Sequence, residues 1–195
     1  MTKKLLSCYK MMYIKFTVQE LFSMTLSRFS FSCFIALVIA PTLVLAQTPK
    51  TLGKFGSWHA YKKGDVCYMV SLAKKSEGKY TKRGNVYAVV THRPKINSKN
   101  VLSLHAGYSF GKGDEVKVTV KSRKGNKVVN LFTEGEVAWC ADAKTDNMMT
   151  DQITKTGSEM IVEGKSARGT TTKDTYSLAG SLKAYDAICK ACGVS

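Results

Sequence analysis

The chain closes on "DAICKACGVS", and Cys189 and Cys192 in that stretch are the pair whose type and spacing best suit chemistry. C-x-x-C serves as a dithiol redox centre, as half of a zinc site, or as two anchors for separate disulfides. Each use needs a different setting. A thioredoxin-type centre puts the pair at a helix N-terminus, where the dipole stabilises thiolate. A zinc site needs two further ligands at matching spacing, and anchors need an oxidising compartment with partner cysteines elsewhere.

The compartment is read from the start of the chain. Residues 29–46, "FSFSCFIALVIAPTLVLA", form an apolar run with Arg28 just before it. The run ends Val44-Leu45-Ala46, small at its first and last positions, and polar "QTPKT" follows at once. This pattern predicts a signal peptide over residues 1–46, cleaved after Ala46. Translation from Met24 would give it a compact, basic n-region. The competing reading is an uncleaved anchor, against which stand Pro41 and a run shorter than the usual span of about 20 residues.

Export changes the meaning of the charge. The chain holds 30 basic and 14 acidic side chains. Of these, Lys3, Lys4, Lys10, Lys15, Arg28 and Glu20 lie in residues 1–46, so residues 47–195 carry a formal charge of +12. An exported chain of that charge meets anionic phospholipid, lipopolysaccharide, wall polymers or host-surface polyanions, with peripheral membrane contact among the options and no nucleic acid expected. The expected location is the periplasm or cell envelope, the outer surface, or the medium.

Residues 47–195 read as a single β-rich domain. Short runs rich in Val, Tyr and Thr recur between turn residues at 66–73, 86–93, 101–108, 115–121, 127–132, 159–163 and 172–178. The spacing predicts an antiparallel β-sandwich or barrel-like domain. In 115–132 Val116, Val118 and Val120 share one face and Lys117, Thr119 and Lys121 the other, with a turn at Gly125-Asn126, so the outer side of this hairpin is a basic strip. Residues 66–73 are apolar on both faces, which predicts a central strand. Two short helices complete the expectation: 145–156, stopped by Gly157, and a C-terminal one over 181–192, opened by Ser181 as N-cap and ended by Gly193.

On that last helix Leu182, Tyr185, Ile188, Cys189 and Cys192 fall on one face, so both thiols point toward the sheet. They sit at the end where the dipole opposes thiolate, and no cis-proline signature accompanies them, which makes an envelope thiol-disulfide oxidoreductase the alternative rather than the favoured reading. Zinc on Cys67, Cys140, Cys189 and Cys192 would have only one closely spaced pair. Two disulfides suit an oxidising compartment better, in any of three connectivities. A Cys189 to Cys192 bridge closes a loop worth about 2 kcal/mol, whereas loops back to Cys67 or Cys140 approach about 4 to 5 kcal/mol each before strain. Pinning the helix to two different strands is therefore favoured.

The segments "FGSWHAY", "VCYMVS", "KKSEGKYTKRGNVYAVVTHRP", "AWCADAKTD", "ARGTTTKDTYSLAG" and the closing "ACGV" resemble the invasion-associated locus B family of exported bacterial proteins. The resemblance covers residues 55–194, in the family's order and spacing. It implies an envelope or secreted β-rich protein linked with host-cell invasion, without a defined catalytic activity. It also implies that Cys67 pairs with Cys192, leaving Cys140 and Cys189 to pair with each other.

Other chemistry is sparse. His59, His92 and His105 have neither metal-ligand spacing nor a nucleophile motif beside them and read as hydrogen-bonded structural histidines. The polar segments around Lys82, Arg83, His92, Arg93 and Arg168 could gather at one end of a sandwich, where arginine forks would suit phosphate or carboxylate. The hairpin cations Lys117, Lys121, Arg123, Lys124 and Lys127 form the second candidate anion surface. No cofactor and no metal are expected. The function read from these residues is a non-enzymatic, disulfide-stabilised basic envelope protein that binds an anionic polymer or surface.

Overall fold

The computed structural model describes residues 48–194. The expected leader, its cleavage point and the alternative start at Met24 lie outside them. The described strands are β1 (Lys50–Phe55), β2 (Trp58–Lys63), β3 (Val66–Leu72), β4 (Lys75–Gly78), β5 (Tyr87–Arg93), β6 (Ser98–His105), β7 (Glu115–Ser122), β8 (Lys127–Glu134), β9 (Val137–Trp139), β10 (Gly157–Lys165) and β11 (Thr171–Ser177). Two α-helices join them, α1 (Ala143–Asp151) and α2 (Ser181–Cys192), the second C-terminal as expected. All strands belong to one antiparallel sheet in the order β1-β2-β3-β5-β6-β9-β8-β7-β10-β11-β4.

That order, with β3 and β4 almost adjacent in sequence yet far apart in the sheet, requires the sheet to roll. After β3, Ala73 N–H still bonds the Val86 carbonyl, while Lys74 N–H already bonds that of Thr175 at the far end of the sheet. A second seam lies where Ser57 N–H bonds the Ala179 carbonyl and the Trp58 indole N–H that of Ser177. Gly56, with φ of 57°, and Gly180, with φ of 88°, meet at this seam, where a Cβ on Gly180 would collide with the Phe55 carbonyl. The result is barrel-like but not closed, with β1 and β4 as its free edges.

Alternation fills the roll. Val116, Val118 and Val120 on β7 are wholly buried, with Leu131, Met160, Tyr176, Met69, Val90 and Leu102 from the other walls. As predicted, β3 is a central strand, paired with β2 and β5. The helices cover what the sheet leaves open. On β6, the three residues of β9 reach only Ser103–His105, so the earlier part of β6 lacks a strand neighbour on that side. There Asp146 of α1 accepts the Leu102 N–H at 2.9 Å and the Thr150 hydroxyl donates to the Asn100 carbonyl at 3.2 Å.

Both helices differ slightly from expectation. Asp142, whose carboxylate accepts the Thr145 N–H at 2.7 Å, starts α1 two residues early, and a π-helical turn (Gln152–Thr156) carries it to Gly157. Ser181 is not the cap of α2 but its first residue. Gly180 precedes it in the left-handed region, and the Ser181 hydroxyl donates to the Ile153 carbonyl at 2.7 Å, tying α2 to the end of α1. Leu182, expected inward, is 45% exposed, because the buried stripe runs through Ser181, Ala184 and Ile188.

Candidate functional site

The cysteines divide. Cys67 on β3 is bonded to Cys192 on α2, with Cα atoms 6.0 Å apart, as the family resemblance implied. The second expected bridge is not made: Cys140 and Cys189 are free thiols. They lie in different surroundings. Cys140 is buried beside Asp146, and burial first, then that carboxylate, pushes its thiol up. Cys189 lies half-buried with its sulfur 3.4 Å from Nε2 of His92. Lys62 steadies the same end of α2 by donating to the Ala191 carbonyl at 2.7 Å, a cation at a helix C-terminus.

A Cys–His contact raises the question of a nucleophile. Nδ1 of His92 accepts the backbone N–H of Asn100 at 3.1 Å, so its lone pair is engaged and the neutral ring carries its proton on Nε2. Burial, with Lys99 adding a smaller push, holds His92 down to about 4. Nε2–H therefore donates to Cys189 and has no lone pair with which to take the thiol proton. Burial also pushes the Cys189 thiol up. The pair is a hydrogen bond in a neutral network, not a thiolate–imidazolium pair.

Asn100 organises that network. It holds φ of 62°, in the left-handed region that asparagine tolerates better than most residues. Besides its contacts to His92 and Thr150, its Nδ2 donates to Asn147 Oδ1 at 2.7 Å and its Oδ1 accepts the Tyr185 hydroxyl at 2.9 Å. Tyr185 is pushed up to about 12, chiefly by burial, and stands edge-on to the His92 ring. All of these groups join α1, α2, β5 and β6 without using a charge.

The cations expected to gather do not. The Arg83 side chain is 4% exposed, its Nη1 and Nη2 bonding both oxygens of Asp174 at 2.8 and 2.7 Å and its Nε donating to the Ala106 carbonyl. Tyr80 and Tyr108 lie at 5.2 and 5.0 Å from its guanidinium carbon. Its charge is fully engaged inside the protein. Arg93 lies at the opposite end of β5, since Ala106 follows the end of β6 that pairs with Tyr87 while Arg93 pairs with Ser98. About 20 Å of strand separates them. His92 is wholly buried. Lys82 and Arg168 are exposed.

The basic strip is also altered. The register sets Lys117 opposite Glu163 and Lys121 opposite Glu159, giving ion pairs of 2.9 and 3.2 Å. Arg123, Lys124 and Lys127, at the hairpin tip, are exposed and make no ion pair among the described residues.

The outer face of the sheet consequently has two characters. Across β4, β11, β10, β7 and β8, one rung reads Glu77, Lys173, Glu163, Lys117, Asn130. It crosses an open groove of about 650 Å³ whose other charged residues, Glu115 and Lys165, keep the signs balanced. Across β2, β3, β5, β6, β9 and β8, a rung reads His59, Val70, Val89, Ser103, Trp139, Phe132. Its neighbours bring Tyr61, Tyr68 and Thr91 on one side and Leu72, Tyr87 and His105 on the other. Tyr61 stacks on Tyr68 at 5.4 Å and Tyr87 on His105 at 4.2 Å.

A family model described as Invasion associated locus B (IalB) protein matches residues 59–189. The chain belongs to the invasion associated locus B family. No curated protein and no solved structure matches it. Within the span matched to the invasion associated locus B family lie Arg83, Asp174, His92, Asn100, Cys140 and Cys189, while Cys192 follows three residues after its end. Asp174 and Asn100 were missed from sequence. For Asp174 a signal existed: alternation through Thr172, Asp174 and Tyr176 puts the carboxylate on the buried face, where it requires a partner. No group of three metal-ligating side chains occurs among the described residues.

Proposed function

We propose that this family member is an exported, non-enzymatic basic envelope protein, stabilised by the Cys67–Cys192 disulfide, that binds an anionic polymer or surface in envelope or host-cell interactions. The observation that carries this reading is the +12 charge of residues 47–195 combined with the hairpin tip, where Arg123, Lys124 and Lys127 are exposed without a carboxylate partner among the described residues. Elsewhere on that hairpin, Lys117 and Lys121 are balanced by Glu163 and Glu159. The periplasm or envelope is the location that the apolar leader and the disulfide support. Against a dithiol enzyme counts the division of "CKAC", in which Cys192 is bonded to Cys67 and Cys189 is held as a thiol beside neutral His92.

The test is retention on an immobilised sulfated polymer along a salt gradient, where binding fades as the screening length shortens from about 10 Å at 0.1 M. The triple variant Arg123→Gln, Lys124→Gln, Lys127→Gln is expected to elute at clearly lower salt, more so than a variant neutralised at Lys82, Arg93 and Arg168. Equal elution of parent and tip variant would remove the hairpin from the proposal. Reduction of insulin by the purified protein in a coupled assay would replace the binding role with a redox one.

A further inference from the structure

We propose that the aromatic half of the outer sheet face is a docking surface for an anionic phospholipid interface. The proposal rests on the binding role above and extends it from the hairpin tip to a second surface with a partner of its own.

Three observations converge on this face. The first is ring orientation. Tyr61 and Tyr68 stack with an interplanar angle of 26°, and Tyr87 and His105 with 12°, so each ring has one face covered by its partner. A sugar ring needs an open aromatic face to lie on. A bilayer interface instead accepts an apolar body with a polar tip, the arrangement that favours Tyr and Trp at headgroup depth. The second is exposure: Leu72 and Phe132, 66% and 45% exposed, stand at the margins of the aromatic rungs, adding apolar area that water otherwise covers.

The third is charge. The paired rungs of β2, β3, β5, β6 and β9 hold no carboxylate on this face, and acids border it only on the β8 side, where Glu134 lies opposite Val137 and Glu115 opposite Phe132. Around it stand Lys54, opposite His59; Lys63, opposite Val66; and Arg93, at the end of β5. All three are exposed and without an ion pair among the described residues. A carboxylate-free apolar centre with free cations along its β1, β2 and β5 margins complements anionic headgroups over an acyl boundary, and apolar contact and charge then act together on that side. The charged half of the sheet has free cations at its hairpin tip but balanced rungs and no apolar centre.

The molecule carries its own reporter. Of the two tryptophans, Trp58 is wholly buried and bonded to the Ser177 carbonyl, whereas Trp139 lies half-buried on the proposed face. Protein recovered from the cell envelope is mixed with vesicles of phosphatidylglycerol and phosphatidylcholine, with vesicles of phosphatidylcholine alone, and with a soluble sulfated polymer. Expected with the anionic vesicles are a blue shift of tryptophan emission and quenching by brominated acyl chains, both lost in Trp139→Phe. Tyr68→Ser with Tyr87→Ser, and separately the surface variant Lys54→Gln, Lys63→Gln, Arg93→Gln, should each weaken vesicle binding about tenfold while polymer retention is kept. The second variant touches no buried group and guards against loss of fold in the first. Polymer binding without quenching on anionic vesicles overturns the lipid face and leaves the binding role standing. Vesicle binding abolished by the hairpin-tip variant, with Trp139 unquenched in the parent, also overturns it. Binding to neither probe overturns both readings.

Discussion

Arg83 and Cys192 hold the rolled sheet at two places by different physics. At the first, the segment after β4 is clamped to β11 and to the end of β6 by a guanidinium wholly occupied by Asp174 and the Ala106 carbonyl. At the second, α2 is tied to β3 by a covalent bond and to β5 and β6 by neutral hydrogen bonds through His92 and Asn100. The comparison teaches that a buried charge is all or nothing, because removing either partner leaves the other stranded. A neutral, distributed network can lose a member without stranding a charge. The two clasps should therefore fail under different insults, the first to substitution of either partner and the second to reductant and to protonation of His92.

The largest expected effect comes from the ion pair. Arg83→Met leaves the Asp174 carboxylate buried and alone and should cost about 3 to 5 kcal/mol in denaturant unfolding. Arg83→Met combined with Asp174→Leu should recover most of that, and a double variant as unstable as the single one would mean that packing between Tyr80 and Tyr108 dominates. Next, Cys192→Ser should cost about 2 to 5 kcal/mol, and Cys189→Ser well under that because its sulfur only accepts one bond. Non-reducing peptide mapping should recover the Cys67–Cys192 pair with Cys140 and Cys189 unlinked; a Cys140–Cys189 peptide would break the asymmetry between the two pairs of thiols.

Acid acts on the second clasp through His92. His92 is held down to about 4 by burial, below its ordinary 6.5. The unfolded chain then binds the proton more readily than the fold, so His92's contribution is complete above pH 6.5 and is lost as pH falls from there to about 4. The ceiling is about 3 kcal/mol. Asp146, whose carboxyl is raised by burial, acts in the opposite sense: the fold favours its protonated form, which offsets part of that loss. Parent and His92→Gln compared across this range isolate the histidine, and a parent profile no steeper than the variant's would contradict its assignment as a buried neutral acceptor. The smallest effect belongs to the surface. Lys117→Gln breaks an exposed pair with Glu163 and should change stability by about 0 to 1 kcal/mol in thermal unfolding, which sets the scale against which both clasps are judged.

Local patterns carried much of the fold. Alternation in "EVKVTVKS" identified β7, and Gly193 ended α2 where expected, with φ of 62°. What escaped was either too short or too polar for periodicity, as with the three residues of β9 and "KSEG" of β4, which is a strand only because β11 lies beside it. Register escaped as well. That Lys117 faces Glu163 depends on how β7 and β10 slide together, so cations that look free along one strand are balanced from the next. Arg83 and Asp174 are 91 residues apart, and only the roll of the sheet makes them neighbours. The candidate basic site was therefore overcounted from sequence, while the aromatic half, scattered over six strands, was not visible at all.

The bond between Cys67 and Cys192 spans 125 residues and reaches the last turn of α2. Synthesis reaches Cys67 first, so its native partner is missing until the 125 residues up to Cys192 have also emerged. A chain interrupted anywhere before Cys192 can still form most of the hairpins but can never close this link. The linkage thus records one thing about the domain: the native bond at β3 exists only in molecules whose last turn of α2 is in place.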